Sequence, residues 1–366
     1  MTGLALAALA ATASPARADS SCGSPLPIAP AGLPASVVMQ TACGAYAVDS
    51  AGRLSPTDRP RAPWAFSPSR FRIDIRRDHV VLFVGGKLRW RSRHTFYKEV
   101  EDLGSVALGR RALAFSFNNG KLWVAPLGGV ERAVAWNEWA MVWTKHGEVL
   151  AGRVHRDRWD LLVRRADGSD PRPIATKRTI VYPDEASGTV LYVSRAGNIV
   201  RTDGRRQTVL ASLPALGLPR NPQLQLDPSG LIIAASRQRL VVLRHDGSVF
   251  ASARNEVPGL VDQVAVAPGR VAFAIDVWDE GGTGVLKQES VFVLREGAST
   301  ATRVLDEPAD YFGCGWTSSL AWHGSWLLYW DVLTRVVALD TDGPGRVDLS
   351  ATAQALPGGL DFAVWG

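Results

Sequence analysis

A chain of 366 residues with 46% apolar and 21% charged residues has the composition of a folded protein with a large core, which excludes a disordered polymer. No apolar run beyond the first twenty residues reaches membrane-spanning length, so no transmembrane segment is expected. The formal charge of +6 rests on 35 arginines and six lysines, a bias that codon composition produces as readily as anion binding, and nucleic acid is not expected as a partner.

In chain order, the first element is the apolar run from Leu4 to Ala13, followed by Ser14-Pro15 and Ala16-Arg17-Ala18. This is an h-region of signal-peptide length with an A-x-A cleavage site, so residues 1–18 are expected to be removed on export to the periplasm or outside. Only Met1 to Gly3 precede the run, so the positively charged n-region is missing and a start codon slightly upstream is expected. The residues before Cys22 are Asp19-Ser20-Ser21, not the small apolar set of a lipobox, so lipidation is rejected. With three cysteines one stays unpaired; the favoured bridge is Cys22 to Cys43, which closes a roughly twenty-residue loop in the segment with least regular structure, and Cys43 to Cys314 is the competitor.

From Val37 onward the chain reads as short strands separated by tight turns. Val37 to Met39, Ala45 to Val48 and the turn Asp49 to Gly52 come first. Phe71 to Ile75, Val80 to Val84 and Lys87 to Trp90 begin a module of two apolar runs, a turn, a third run, a Gly-rich turn and a fourth run. Six further copies open near Val106, Trp139, Val181, Leu224, Val264 and Leu320, and a lone strand, Leu360 to Trp365, ends the chain. The mean step is about 41 residues, enough for four strands with their turns. A sustained period of that size excludes a sandwich, and is far too long for a β-helix coil.

The reading is therefore an all-β fold, a β-propeller of four-stranded antiparallel blades forming a single domain over 19–366. Eight blades are counted, the last built from 19–57 and 358–366, because joining both chain ends in one sheet removes an open edge. Seven follow if 19–57 is an extension instead. Asp167-Gly168, Asp203-Gly204, Asp246-Gly247 and Asp342-Gly343 are assigned to hairpins between third and fourth strands, so their aspartates are turn formers before they are candidate acids or ligands.

The copy Val106 to Gly129 (VALGRRALAFSFNNGKLWVAPLGG), with Asp227-Pro228-Ser229-Gly230 before Leu231 to Ala235, resembles the repeat of TolB-like propellers. The likeness covers residues 71–350. Leu108-Gly109-Arg110-Arg111 and Ala267-Pro268-Gly269-Arg270 stand where that family carries S-P-D-G. The resemblance implies a periplasmic or secreted interaction protein, some relatives of which are joined to peptidases, and it transfers no functional residue.

Chemistry is sparse in the sequence. No G-x-S-x-G elbow occurs, and the six histidines show neither H-x-H nor H-E-x-x-H spacing, so no catalytic residue, metal ligand or cofactor is assigned. Asp276 to Gln288 is read as the longest connection between second and third strands, and its Asp276, Trp278, Asp279 and Glu280 are candidate binding residues. The other candidates are arginines in equivalent connections: Arg156 and Arg158 beside His155, Arg195, Arg237, Arg239 and Arg335. Together they would form a broken basic ring suited to bidentate contacts with carboxylate or phosphate. Trp322, Trp326 and Trp330 are expected to pack between blades, with a sugar-stacking platform as the sharper alternative. The functional reading is a monomeric binding module for a protein or an anionic extracellular polymer through one loop face, against a carbohydrate-active or carbohydrate-binding propeller.

Overall fold

The computed structural model describes residues 22, 25–58, 71–76, 79–84, 87–96, 103–156, 158–178, 181–185, 187–220, 222–227, 229–257, 259–279, 285–312, 318–331 and 333–366. The signal-peptide reading, Glu280, Cys314 and Trp316 lie outside these residues.

Three antiparallel strands open the chain, β1 (Val37–Thr41), β2 (Gly44–Val48) and β3 (Leu54–Thr57). The C-terminal strand Leu360–Trp365 pairs with β1, placing Val37 opposite Trp365 and Val38 opposite Val364. One sheet thus takes three strands from one chain end and one from the other. Cys22 and Cys43 are joined by a disulfide with a Cα–Cα distance of 5.3 Å, which ties the N-terminal segment to the turn between β1 and β2.

Seven sheets follow in order. The first has β4 (Phe71–Arg76), β5 (His79–Val84) and β6 (Lys87–Arg91), three strands among the described residues. The next four are β7 (Leu103–Leu108), β8 (Ala112–Phe117), β9 (Leu122–Pro126), β10 (Arg132–Ala135); β11 (Glu138–Trp143), β12 (Val149–His155), β13 (Arg158–Arg164), β14 (Arg172–Arg178); β15 (Val181–Asp184), β16 (Thr189–Val193), β17 (Asn198–Thr202), β18 (Gln207–Ser212); and β19 (Gln223–Leu226), β20 (Ile232–Ala235), β21 (Arg239–Leu243), β22 (Val249–Arg254). The last two are β23 (Leu260–Ala267), β24 (Arg270–Trp278), β25 (Val285–Arg295), β26 (Thr302–Phe312); and β27 (Ser318–His323), β28 (Trp326–Asp331), β29 (Val336–Asp340), β30 (Arg346–Asp348). A one-turn helix α1 (Ser350–Ala355) leads to the closing strand, β31 (Leu360–Trp365). Each sheet is an up-and-down antiparallel blade, and the fold is a β-propeller of eight blades.

Burial explains which sequence patterns were readable. Middle strands such as β8 (ALAFSF) are buried at every position because both faces are covered, so they read as continuous apolar runs. Outer strands such as β18 (QTVLAS) have no fully buried residue and carry polar side chains along the edge. The turns behave as the Asp-Gly pairs predict: Gly168, Gly204 and Gly247 have φ of 80°, 90° and 89°, where a side chain would clash. The aspartate before each accepts backbone amides, Ser169 for Asp167, Arg205 and Arg206 for Asp203, and Ser248 for Asp246. Asp342 differs, since its carboxylate is held by Arg270 and Arg295.

One expectation is corrected. Asp276 to Gln288 is mostly not a loop: β24 and β25 run on as long paired strands, with Asp276 opposite Glu289 and Val277 opposite Gln288. Asp276 is buried with Ile275, and Val277 and Trp278 are half-buried, so the strand and its burial run on past the point where the acidic, Gly-rich sequence suggests a connection.

The chain forms two compact units. One comprises Ser67–Ile232 with His245–Ser248; the other comprises Ile233–Arg244, Val249–Gly366 and the N-terminal strands. In the second, Trp330 and Trp326 pack with Val37, Met39 and Phe362, while Trp322 packs on the other side of its blade against residues of β23 to β26.

A device repeats within both units. Indole Nε1 of Trp143, near the end of a blade's first strand, donates to the carbonyl of Ala107 in the preceding first strand at 2.7 Å. Trp322 does the same to Ala265 at 3.1 Å, and Trp365 to Ala321 at 3.0 Å. Gly109 lies flat under the Trp143 ring: a Cβ there would come within 2.7 Å of the indole.

Candidate interaction surface

In the first unit, three loops are stitched into one surface. The Glu138 amide donates to the Gly120 carbonyl at 2.9 Å, and the Val154 amide to the Asn137 carbonyl at 3.1 Å. These bonds join the β8–β9 turn, the β10–β11 connection and the end of β12. Trp136, on the middle loop, is 61% exposed. The Lys121 ammonium lies 4.8 Å from the Trp123 ring centre and 5.0 Å from that of Trp136, so a cation–π contact holds the exposed ring in place. Behind it Trp139 and Trp159 meet edge to face at 5.7 Å. The base of the loop is fixed by Glu138, fully buried, whose carboxylate accepts Arg153 Nη2 at 2.6 Å and Arg164 Nε at 2.8 Å. At the β12–β13 tip Arg156 is exposed with φ of 58°, and Arg158 begins the next strand, also exposed. His155 pairs with Asp160 at 3.2 Å.

Arg195 lies in the same unit, exposed in the Ser194–Gly197 turn between β16 and β17.

In the second unit, Arg237 and Arg239 flank Gln238 between β20 and β21. Arg239 sits directly opposite Arg254 in the β21–β22 register, so both side chains leave the same face of the sheet. Arg239 Nε and Nη2 donate to Ser252 Oγ at 3.2 and 3.0 Å. Among the described residues no carboxylate pairs with Arg237, Arg239 or Arg254. A groove of about 400 Å³ runs beside them along β22, lined also by Val249, Ser252, Gly297 and Ser299.

Arg335 belongs elsewhere. Its Nε bonds the Asp331 carboxylate, and its Nη1 reaches the Pro308 carbonyl at 3.0 Å and Glu307 at 3.5 Å. Asp331 and Glu289, 2% and 1% exposed, both accept the hydroxyl of the fully buried Tyr329 at 3.1 and 2.9 Å. Desolvation, then the two carboxylates, push the Tyr329 hydroxyl well above the ordinary phenol range. The six arginines are therefore not equivalent: Arg335 is a counter-ion inside a packed acidic network, the others are not. Asp276, expected on a loop, is 3% exposed within β24. Trp278 ends that strand, partly buried, and Asp279 closes the hairpin by bonding the Val285 backbone in both directions. Sequence reading missed Trp136, whose isolation gave no density signal; the Lys121 that holds it lies on the neighbouring hairpin.

No protein-family model matches the chain, and no curated protein matches it. Solved structures to which it is similar include BamB from Moraxella catarrhalis, at 13% identity and TM-score 0.42, covering 76% of this chain and 87% of that one. The computationally designed Ika8 protein is similar at 12% identity and TM-score 0.42, covering 87% and 98%. The Swd1 β-propeller domain of Myceliophteria thermophila follows at 15% identity and TM-score 0.38, covering 76% and 91%. These are likenesses of fold alone.

Proposed function

We propose that the chain is an exported binding module that holds another protein on the face formed by the loops between second and third strands. The observation that carries this reading is Trp136: a largely exposed indole, fixed by Lys121 and stitched to the loop of Arg156 and Arg158. Pre-positioned tryptophan with arginine is the side-chain chemistry of protein-binding hot spots, since a rigid ring loses little entropy when it is covered. Export is supported by the Leu4 to Ala18 segment and by the Cys22–Cys43 bridge, which persists in an oxidising compartment. Among the described residues no helix is long and apolar enough to cross a membrane.

The enzymatic alternative is not favoured by the carboxylates that converge. Glu289 and Asp331 do so inside the packed interior, where Tyr329 occupies the space between them. The test is cross-linking in the native extracellular fraction, followed by identification of the bound protein. A Trp136→Ala, Arg156→Ala double variant with an unchanged melting curve is expected to lose that protein by about tenfold or more. Equal recovery by the variant would remove this face from the interaction.

A further inference from the structure

We propose that the groove along β22 is a second binding site, one that takes an extended acidic segment of a partner protein. It deepens the reading of the chain as a protein-binding module and rests on it.

Three observations converge. First, Arg239 and Arg254 stand directly opposite each other on one sheet face, an arrangement that repels, and among the described residues no carboxylate relieves it. Arg237 is one loop turn away, since the Asn255 amide bonds the Gln238 carbonyl at 3.0 Å. The other described arginines of this unit are neutralised, as Arg244 is by Glu296 and Arg303 by Glu256 and Asp306. The charge left over at Arg237, Arg239 and Arg254 asks for carboxylates from outside.

Second, Arg239 is aimed. Its two bonds to Ser252 Oγ, which also lines the groove, fix the guanidinium and leave Nη1 available for an incoming carboxylate. Gly297, Ala298 and Ser299 also line the groove.

Third, the edge of β22 already pairs with backbone from another segment, the turn between β25 and β26. The Gly297 amide donates to the Phe250 carbonyl at 2.8 Å, and the Ser252 amide to the Ala298 carbonyl at 3.2 Å. Residues that face the edge alternate, so the next after Phe250 and Ser252 is Arg254. A peptide strand following the line of Gly297 and Ala298 would run past Arg254 and place alternate side chains beside the arginine pair. This favours an acidic polypeptide over a sulfated or uronic polysaccharide, which has no main-chain amides to continue that line.

The probe is a fluorescein-labelled octaglutamate peptide, titrated by fluorescence anisotropy at two salt concentrations. Wild-type protein is expected to bind it, more weakly at the higher salt. The Arg239→Gln, Arg254→Gln variant is expected to lose about tenfold in affinity, while Arg110→Gln, Arg111→Gln, which removes two exposed arginines of the first unit, leaves binding unchanged. Equal loss in both variants would show charge attraction without a site and would overturn the proposal. So would preference for a heparin-type oligosaccharide over the peptide. The Trp136→Ala, Arg156→Ala variant is expected to bind the peptide as wild type does, so failure here and failure of the loop-face reading are separate results.

Discussion

At the scale of single residues, position in a loop and role in the molecule part company. Counting strands places Arg237 and Arg335 in corresponding connections, but what each touches is decided by the neighbouring blade. Arg335 meets Asp331 within its own blade and Glu307 and Pro308 from the preceding one; Arg237 meets solvent. Arg335→Ala leaves the buried Asp331 without its cation, and a loss of about 3 kcal/mol is expected in urea denaturation, near the low end for breaking a buried pair because Arg335 is itself partly exposed. Arg237→Ala is expected to stay within about 0.5 kcal/mol of wild type. Equal effects would contradict the contrast between a structural Arg335 and a solvent-facing Arg237. Asp276 teaches the same lesson in reverse: its polarity read as a loop, yet it is buried opposite Glu289, and nothing local in the sequence announces a buried pair of acidic positions.

Among elements, strands and hairpins were legible because their signals are local. A middle strand covered on both faces must be apolar throughout, and a tight hairpin needs a residue that tolerates positive φ, so both leave marks within a few residues of themselves. Contacts between blades leave no such mark. The tryptophan that closes one first strand bonds an alanine in the preceding copy, and Trp143-Thr144, Trp322-His323 and Trp365-Gly366 become a series only when the partners Ala107, Ala265 and Ala321 are known. The glycine in Leu108-Gly109-Arg110-Arg111, a departure from the expected turn motif, follows from that contact. Gly109→Ala would force its methyl into the Trp143 ring; a cost of about 1–3 kcal/mol is expected, with a shift in tryptophan fluorescence, and Trp143→Phe in the same chain should recover part of the stability. A Gly109→Ala protein as stable as wild type would mean the ring yields freely.

For the whole molecule, the period of about 41 residues carried the fold because it is set by the content of a blade, whatever side chains fill it. It could not carry the site: Trp136 and the Arg239–Arg254 pair interrupt no repeat. The closing sheet was readable from two half-patterns at opposite chain ends, each too short to be a blade alone. Removing residues 360–366 strips β1 of one of its two partners and opens the edge of a fully buried strand. The truncated chain is expected to aggregate or to lose its single cooperative unfolding transition, measured by light scattering and by circular dichroism; a monomeric, cooperatively unfolding product would show that β31 is dispensable.

The pairing of Val37 with Trp365 also imposes an order of events. β1 leaves the ribosome or a translocation pore long before its partner β31, so it waits with one side open while the blades between them form. The disulfide at Cys43 needs only the first few dozen residues and can set early, holding the β1–β2 hairpin in shape through that wait. Synthesis of β31 is then the step that covers the open side of β1.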